Sequence, residues 1–578
     1  MTYESVKKWI LPGSPPVSLL KKYKIDPVIA GLLLQRGIKP AEEQKFLYPT
    51  IDQIPSHKDL FGAKTAAIKI RDHIEKGSKI LIHGDFDADG ICATTILWEF
   101  LYRELSKHLG KKIDVLPYIP DRVEEGYGLS ESSIDSLKEL GADLVITVDC
   151  GIRDKDLIEK YMSQDLDFIV TDHHVPPEDL FSTQLSYTVV HPMHPKKPYP
   201  QQEISGATVA FLLTQALRDV YKISRSVNTP GLDLAAFSTI TDMMPLTGSN
   251  RALVNSGLIK LRSGDRLGLS TLALQAGMKK EDIDTYHIGF ILGPRINATG
   301  RIGSPLDGVR LLSTQNRKQA SELSLKLEQL NSRRQQLTEE ILREVQDQID
   351  PSKSIIIAVG TNWPEGIIGL VAGKIMEQHS KPTVVISKNS GGARGSARSL
   401  EGFHITNALE KLSDHLVKYG GHSEAAGFNI DPSQIDTLVG KLEEIASDEI
   451  GDSILQKELK IELLLNDLSL DLRFIEKLQL TAPWGIGNRK PLQGLMRCVV
   501  IDKRMMGKNG DHLKLELKLD TPETLEAIMF NCQEDIAKIN VDDLIDIAGY
   551  LDINRWNGNV SIQFSIKEWR YSDQALQA

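Results

Sequence analysis

Residues 78–105 read SKILIHGDFDADGICATTILWEFLYREL, and this stretch decides the architecture. SKILIHG (78–84) is a short apolar run with a β-branched bias, which reads as a buried strand. ICATTILWEFLYREL (91–105) has helical periodicity. HGDFDADG (83–90) therefore lies on a strand-to-helix turn at the carboxyl end of a strand, where open α/β sheets bind ligands. Asp85, Asp87 and Asp89 alternate before Gly90 and imitate the start of an EF-hand loop. That loop also needs a bidentate acid at its twelfth position and a helix on each side. Counting from Asp85, the twelfth position is Ile96, which cannot ligate a cation. The calcium reading fails. Taken alone, the stretch is either a solvated acidic turn or part of a metal site.

Two further segments repeat the pattern. ADLVITVDCGI (142–152) is an apolar run ending in Asp149, and LDFIVTDHHVPP (166–177) is another ending in Asp172, His173 and His174. RDKDLIEKYMSQ (153–164) between them reads as a short helix. This βαβ alternation predicts a parallel sheet with right-handed crossovers. Parallel strands bring His83, Asp85, Asp87, Asp89, Asp149, His173 and His174 to one sheet edge. Asp242 in FSTITDMMPL (237–246) closes a further apolar stretch and is expected to join that set. Any one of these histidines has a structural role as its alternative, but the whole set points to a metal site. Carboxylates with imidazoles in an open cluster suit Mn²⁺ or Mg²⁺ better than a closed structural zinc. More than four such ligands imply two ions, the clamp used to hydrolyse phosphoesters.

HGDFDADG, TVDCGI, TDHH and TITDMMP, in that order and spacing, resemble the four motifs of the DHH phosphoesterase superfamily. Within it the chain is similar to the bacterial exonucleases specific for single-stranded DNA. PVIAGLLLQRGIKPAEEQKFLYP (27–49), YIPDRVEEGYGLS (118–130), GPRINATGRIG (293–303), GGHSEAAG (420–427) and APWGIGNRKP (482–491) extend the likeness nearly end to end. The resemblance implies one ion held by His83, Asp87 and Asp149. It implies a second held by Asp89, Asp149, His173 and Asp242, with Asp149 bridging. Asp85 and His174 become adjacent catalytic supports, with His174 contacting the scissile phosphate or the reaction intermediate. It further implies 5′→3′ degradation with release of nucleoside 5′-monophosphates. Action beside a RecQ-type helicase and a single-strand-binding protein is also implied.

An exonuclease must hold a chain end, and arginine is the best bidentate phosphate donor. Arg122 lies in DRVEEGYG and Arg301 in PRINATGR. Ser396 and Arg398 lie in the Gly-rich GGARGSARS (391–399), where the backbone allows close approach to phosphate. Each cluster alone also reads as solvated surface; the resemblance implies that Arg122, Arg301, Ser396 and Arg398 form the phosphate-binding set. Asn297 is counted as a substrate contact with them. Tyr127 suits base stacking or ordinary packing. His422 suits either a substrate-facing or a structural role. Relatives often carry Trp-His where this chain has Trp363-Pro364.

The 578-residue length suggests three or four domains. The fold class is α/β multidomain. The expected division is an N-terminal segment (1–75), a parallel-sheet DHH catalytic domain (76–310), a connecting helix (311–350), an α/β DHHA1 domain (351–450) and a C-terminal β-barrel of OB-fold type (455–575). Leu323, Leu327, Leu330, Leu337, Ile341 and Val345 recur at helical spacing and mark the connecting helix. Asn557-Gly558 is a hairpin signal within the β-rich end. Hydrophobic content of 41% and charged content of 25% are those of a globular protein. The net charge of −10 leaves the charge of the binding face as the quantity that matters. Four scattered cysteines argue against a disulfide framework or a cysteine zinc site. No apolar run is long enough to span a bilayer, and MTYESVKKWILPGSPP shows no signal-peptide core, so a cytoplasmic monomer without a membrane partner is expected. Shorter DHH relatives that cleave oligoribonucleotides or cyclic dinucleotides, inorganic pyrophosphatases, and a non-catalytic single-strand-binding scaffold are the alternatives. The barrel, the DHHA1-like second lobe and the intact acid/histidine set respectively weigh against them.

Overall fold

The computed structural model describes residues 8–13, 15–121, 125–126, 128–182, 184–224, 229–450, 458–466, 468, 470–507, 510–519, 524–556 and 559–572; at 534, 555, 556 and 559 it describes the backbone alone. Two compact units emerge, residues 51–453 and residues 1–50 with 454–578. The second grouping differs from the expected N-terminal segment 1–75. The helix Ala63–Lys76 buries Ala63, Ala66, Ala67 and Ile70 and shares a core with the catalytic sheet. An amphipathic helix buries its apolar stripe wherever a matching face exists, and here that face is the sheet and its helices.

In the larger unit, β1 (Ile80–Gly84), β2 (Val115–Tyr118), β3 (Leu144–Val148), β4 (Asp167–Thr171) and β5 (Thr188–Val190) form an all-parallel sheet in the order β2-β1-β3-β4-β5. β1 and β3 are buried along their whole length, as expected for a parallel sheet covered on both faces. Gly84 pairs with Val148, Val148 with Thr171, and Thr171 with Val190. The residues that follow, Asp85, Asp149, Asp172 and His191, thus leave the sheet side by side. α1 (Ala88–Glu99), α2 (Gly206–Tyr221), α3 (Leu232–Thr241) and α4 (Gly293–Ile302) complete this lobe.

α5 (Arg317–Gln346) is the expected connecting helix, 30 residues long and so about 45 Å. It leads to the second lobe, where β6 (Ile356–Thr361), β7 (Thr383–Asn389), β8 (Gly392–Arg398), β9 (Lys418–Gly421) and β10 (Ala425–Ile430) pair in the order β9-β10-β8-β7-β6. Only β6 and β7 are parallel. α6 (Glu365–His379) crosses between them.

In the smaller unit, β11 (Gln493–Met506), β12 (His512–Lys518), β13 (Thr524–Met529), β14 (Leu544–Trp556) and β15 (Asn559–Tyr571) pair in the order β11-β12-β13-β15-β14, and β14 pairs back onto β11. That closes a five-stranded barrel. β12 alternates inward Leu513, Leu515 and Leu517 with outward Lys514 and Glu516. Register shifts at Leu495/Cys498 and Val500/Asp502 bend β11 so that it serves two partners. β14 and β15 pair antiparallel, while Asn557 and Gly558 lie outside the described residues. The strand Lys8–Ile10 pairs with Glu458–Lys460, and Arg36 grips Glu462 at 3.0 and 3.1 Å and Asn488 at 2.5 Å. APWGIGNRKP thus serves as the seam that joins the N-terminal segment to the barrel. Among the described residues, no helix is long and apolar enough to cross a membrane.

Candidate metal centre

The sheet edge is finished differently on each strand. After β1, Asp87 caps α1 and accepts hydrogen bonds from the amides of Asp89 (2.9 Å) and Gly90 (3.1 Å). Asp89 points the other way, to the start of α2. It accepts from the Gly206 and Ala207 amides, both at 2.7 Å, and from Ser238 Oγ at 2.6 Å. A helix N-terminus favours such a carboxylate. α4 presses on the same turn: Asn297 Oδ1 accepts from the Ala88 amide at 2.7 Å.

After β3, Asp149 adopts φ 64°, a left-handed conformation that costs a non-glycine residue on the order of 1–3 kcal/mol. The strain aims its carboxylate across the edge toward α2. A Cβ on Gly206 would come within 2.6 Å of Asp149 Oδ1, so only glycine admits this approach. After β4, Asp172 accepts from the amides of Ile152 (3.0 Å), His173 (2.7 Å) and His174 (3.1 Å) and pairs with His174 Nδ1 at 2.8 Å. His173 Nε2 reaches Asp149 Oδ1 at 3.1 Å, Asp242 Oδ2 at 3.6 Å and Asp89 Oδ2 at 3.7 Å.

Among the described residues, three groups of side chains can each converge on a cation: Asp85, Asp87 and Asp149; Asp89, His173 and Asp242; and Asp149, Asp172, His173 and His174. Asp149 appears in two of them. His83 lies outside these groups. Its ring stacks on Tyr118 at 5.6 Å, its Nδ1 lies 3.5 Å from Cys150 Sγ, and its Nε2 is buried without a hydrogen bond among the described residues. Asp149 Oδ1, His173 Nε2 and Asp242 Oδ2 are likewise buried without hydrogen bonds. Buried polar atoms are normally paired, so a cluster of unpaired acceptors is the donor set a hard cation fits.

Electrostatics agrees. Burial pushes the Asp149 carboxyl well above its ordinary range, and the charges of Asp89, Asp87, Asp85 and Asp242 push it further. Asp242 rises for the same reasons, burial first, then Asp89 and Asp87. Burial also raises Asp87. Burial holds the His83 imidazole down at about 4 and lowers His173, keeping both neutral, as metal ligation requires. Asp172 is opposite: burial works to raise it, yet its bond and charge pairing with His174 hold it well below the usual carboxylate range. For His174, burial disfavours the imidazolium, but Asp172 outweighs it and raises the pKa.

The structure corrects the reading of Asp242. It caps the C-terminus of α3, a helix, and does not end a strand. LDLAAFSTIT is buried on nearly every face, so its apolar run carries no period that separates helix from strand. Asn297 gives its carbonyl oxygen to the metal turn. Arg301 Nη1 donates to Gly366 O at 2.8 Å in the first turn of α6. Ser396 and Arg398 share a face of β8 over Gly369 of α6, where a Cβ would lie 2.9 Å from Ser396 Oγ and 3.3 Å from Arg398 Nη2. Arg301, Ser396 and Arg398 therefore gather around the N-terminal half of α6. Trp363 is buried and donates to Glu344 at 2.9 Å, and Pro364 caps α6. His422 is exposed on the β9–β10 turn. Its pKa is lowered by partial burial and then by Arg153 and His174, which places it in the field of the DHH triplet. Arg122 and Tyr127 lie outside the described residues.

Three contributors carried no motif in the sequence. Ser238 holds Asp89. His191 leaves β5 and contacts the His174 carbonyl through Nε2 at 2.9 Å. Gly206 makes room for Asp149. The apolar run YTVVHP was the available signal for His191, since it ends at the same sheet edge.

A parallel sheet whose carboxyl edge gathers acids and histidines, followed by a mixed-sheet lobe, defines a DHH-type phosphoesterase. Family models agree: DHH family, N-terminal domain, matches residues 79–239, the DHHA1 domain 352–448, and the RecJ OB domain 461–568. The single-stranded-DNA-specific exonuclease RecJ of Bacillus subtilis (strain 168) is 33% identical over 565 residues, covering 97% of this chain and 70% of its own. The crystal structure of RecJ from Thermus thermophilus in complex with Mn²⁺ matches with a TM-score of 0.82 at 30% identity, covering 98% of this chain and 80% of that one. The Mg²⁺ complex from the same organism gives 0.77 at 30% identity, with coverage of 98% and 79%. The chain belongs to the RecJ family.

Proposed function

We propose that this protein is a metal-dependent exonuclease that degrades single-stranded DNA 5′→3′ and releases nucleoside 5′-monophosphates in DNA repair and recombination. The observation that carries the reading is the buried set of acceptors around Asp149, which lack hydrogen bonds among the described residues and lie within reach of one another. RecJ relatives are named as single-stranded-DNA-specific exonucleases, and their structures contain Mn²⁺ or Mg²⁺. His83, Asp87 and Asp149 would hold one such ion and Asp89, Asp149, His173 and Asp242 the other, with Asp85 beside them. When bound, the two ions supply Lewis acidity toward the phosphate and an activated water.

The chain's own residues supply the rest. Asp172 fixes the His174 ring and favours its imidazolium, which suits contact with a phosphate. Arg301, Ser396 and Arg398, with Arg122, would hold the terminal 5′-phosphate at the start of α6, where the helix end itself favours an anion. Tyr127 and His422 would line the strand's path, and Asn297 acts through the Ala88 amide. The barrel would bind single-stranded DNA. A cytoplasmic monomer acting beside a RecQ-type helicase and a single-strand-binding protein completes the reading, on the resemblance alone.

The test is digestion of 5′- or 3′-labelled single-stranded DNA, duplex DNA and a dinucleotide with Mn²⁺, Mg²⁺ or EDTA. Mononucleotide release from the 5′ end of single strands, lost in EDTA, is expected. Turnover in EDTA, or preference for the dinucleotide, overturns the reading.

A further inference from the structure

The helical segment ahead of Asn297 carries a feature that the chemistry above does not use. Residues His287–Leu292 form a π-helical turn that runs directly into α4. Such turns concentrate at functional sites. Tyr286 and Phe290 stack on one another there, centroids 5.0 Å apart and planes at 27°, yet they are 59% and 72% exposed. Two large aromatic side chains held in a fixed stack in open solvent are costly for a surface with no ligand.

Their position gives the ligand. Tyr286 and Phe290 precede Asn297 and Arg301 on one continuous helical stretch. Asn297 braces the metal turn at Ala88, and Arg301 reaches the start of α6. The backbone under the aromatic pair rests on the end of α3: Gly289 lies over Ile240, and a Cβ on Gly293 would come 2.6 Å from Thr241 Cγ2. Asp242 caps that same end, followed by Met243, itself 65% exposed. From Asn297 to Phe290 is seven residues, about 10 Å along the helix, the span of about three stacked nucleotides.

We propose that Tyr286 and Phe290 form a base-stacking platform for single-stranded DNA on the far side of the metal centre from Arg301, engaging bases about three nucleotides beyond the scissile bond. This rests on the exonuclease reading. Aromatic stacking tolerates any base, as a sequence-independent exonuclease needs. One strand would then be held at its end phosphate by α6, at its scissile bond by the sheet edge, and beyond it by the platform.

Fluorescence polarisation in EDTA tests this with a 5′-phosphorylated 12-mer of thymidylate and the same 12-mer carrying abasic sites at positions three to five. Phe290→Ala and Tyr286→Ala are expected to weaken binding of the intact 12-mer about tenfold and to leave binding of the abasic 12-mer unchanged. Phe290→Trp is expected to restore the intact-strand affinity. Equal losses on both strands, or no loss on the intact one, overturn the platform; the second result leaves the pair as a protein contact. Thermal melts matching the wild type exclude misfolding. Cleavage of single-stranded DNA by the wild type is read separately, so failure of the platform and failure of the exonuclease reading are distinguishable.

Discussion

Asp149 and Asp172 occupy equivalent positions one strand apart. Each is the first residue past a parallel strand, and the residues before them, Val148 and Thr171, are register partners. Both are almost fully buried. Their carboxyls nevertheless move in opposite directions. Asp172 is satisfied by three amides and an imidazole. Asp149 faces four other carboxylates and leaves Oδ1 without a hydrogen bond among the described residues. Burial alone therefore does not set the chemistry of a carboxylate on this edge. One acid is completed by the protein and organises the triplet; the other keeps an oxygen that a cation would complete.

The largest test of that contrast is Asp149→Ala. Cleavage of single-stranded DNA should fall by at least about a thousandfold, roughly 4 kcal/mol, while affinity for single strands in EDTA stays within a few-fold. Equal loss of both would mean that Asp149 serves the fold, as Asp172 does. Asp172→Asn should lower Mn²⁺ affinity and turnover on the order of 10–100-fold. Isothermal titration and steady-state rates would check this, together with a fall in melting temperature that Asp149→Asn does not produce.

The two acids should also give opposite pH signatures in the metal-free protein. Asp149 and Asp242 have raised folded pKa values, so the stability they lend is full below about pH 4 and is lost as pH rises through those values. Asp172 has a depressed value, so its contribution is present above about pH 4 and is lost as pH falls further. Between pH 5 and 8, melting temperature should decline more steeply in wild type than in Asp149→Asn, and Mn²⁺ should remove the difference. Parallel slopes would remove the distinction. The smallest effect is expected of Ser238→Ala, which deletes one donor to Asp89: a loss of about 1 kcal/mol in stability and a few-fold weaker Mn²⁺ binding.

Much of this centre was legible because buried parallel strands are short apolar runs bounded by turn residues. HGDFDADG, TVDCGI and TDHH each follow an apolar run, and each leaves the sheet where expected. The connecting helix and the β-rich end were equally plain. What was hidden depends on contacts far apart in sequence. Asp242 follows a uniformly buried segment, where periodicity is silent. Asn297 reads as a substrate group until Ala88 is seen beneath it. Residues 51–75 join the catalytic unit through small side chains that form no motif. Ser238 binds Asp89 across 149 residues, a contact that no local pattern predicts.

Asp89 carries a consequence for folding. Its partners Gly206 and Ser238 lie 117 and 149 residues away. No short segment of the unfolded chain contains a complete ligand set, so the ion cannot nucleate folding as it does in small zinc domains. Contacts of such high sequence separation form late. Metal uptake is then a reporter of the finished core, and refolding followed by Mn²⁺ binding should lag refolding followed by helix content.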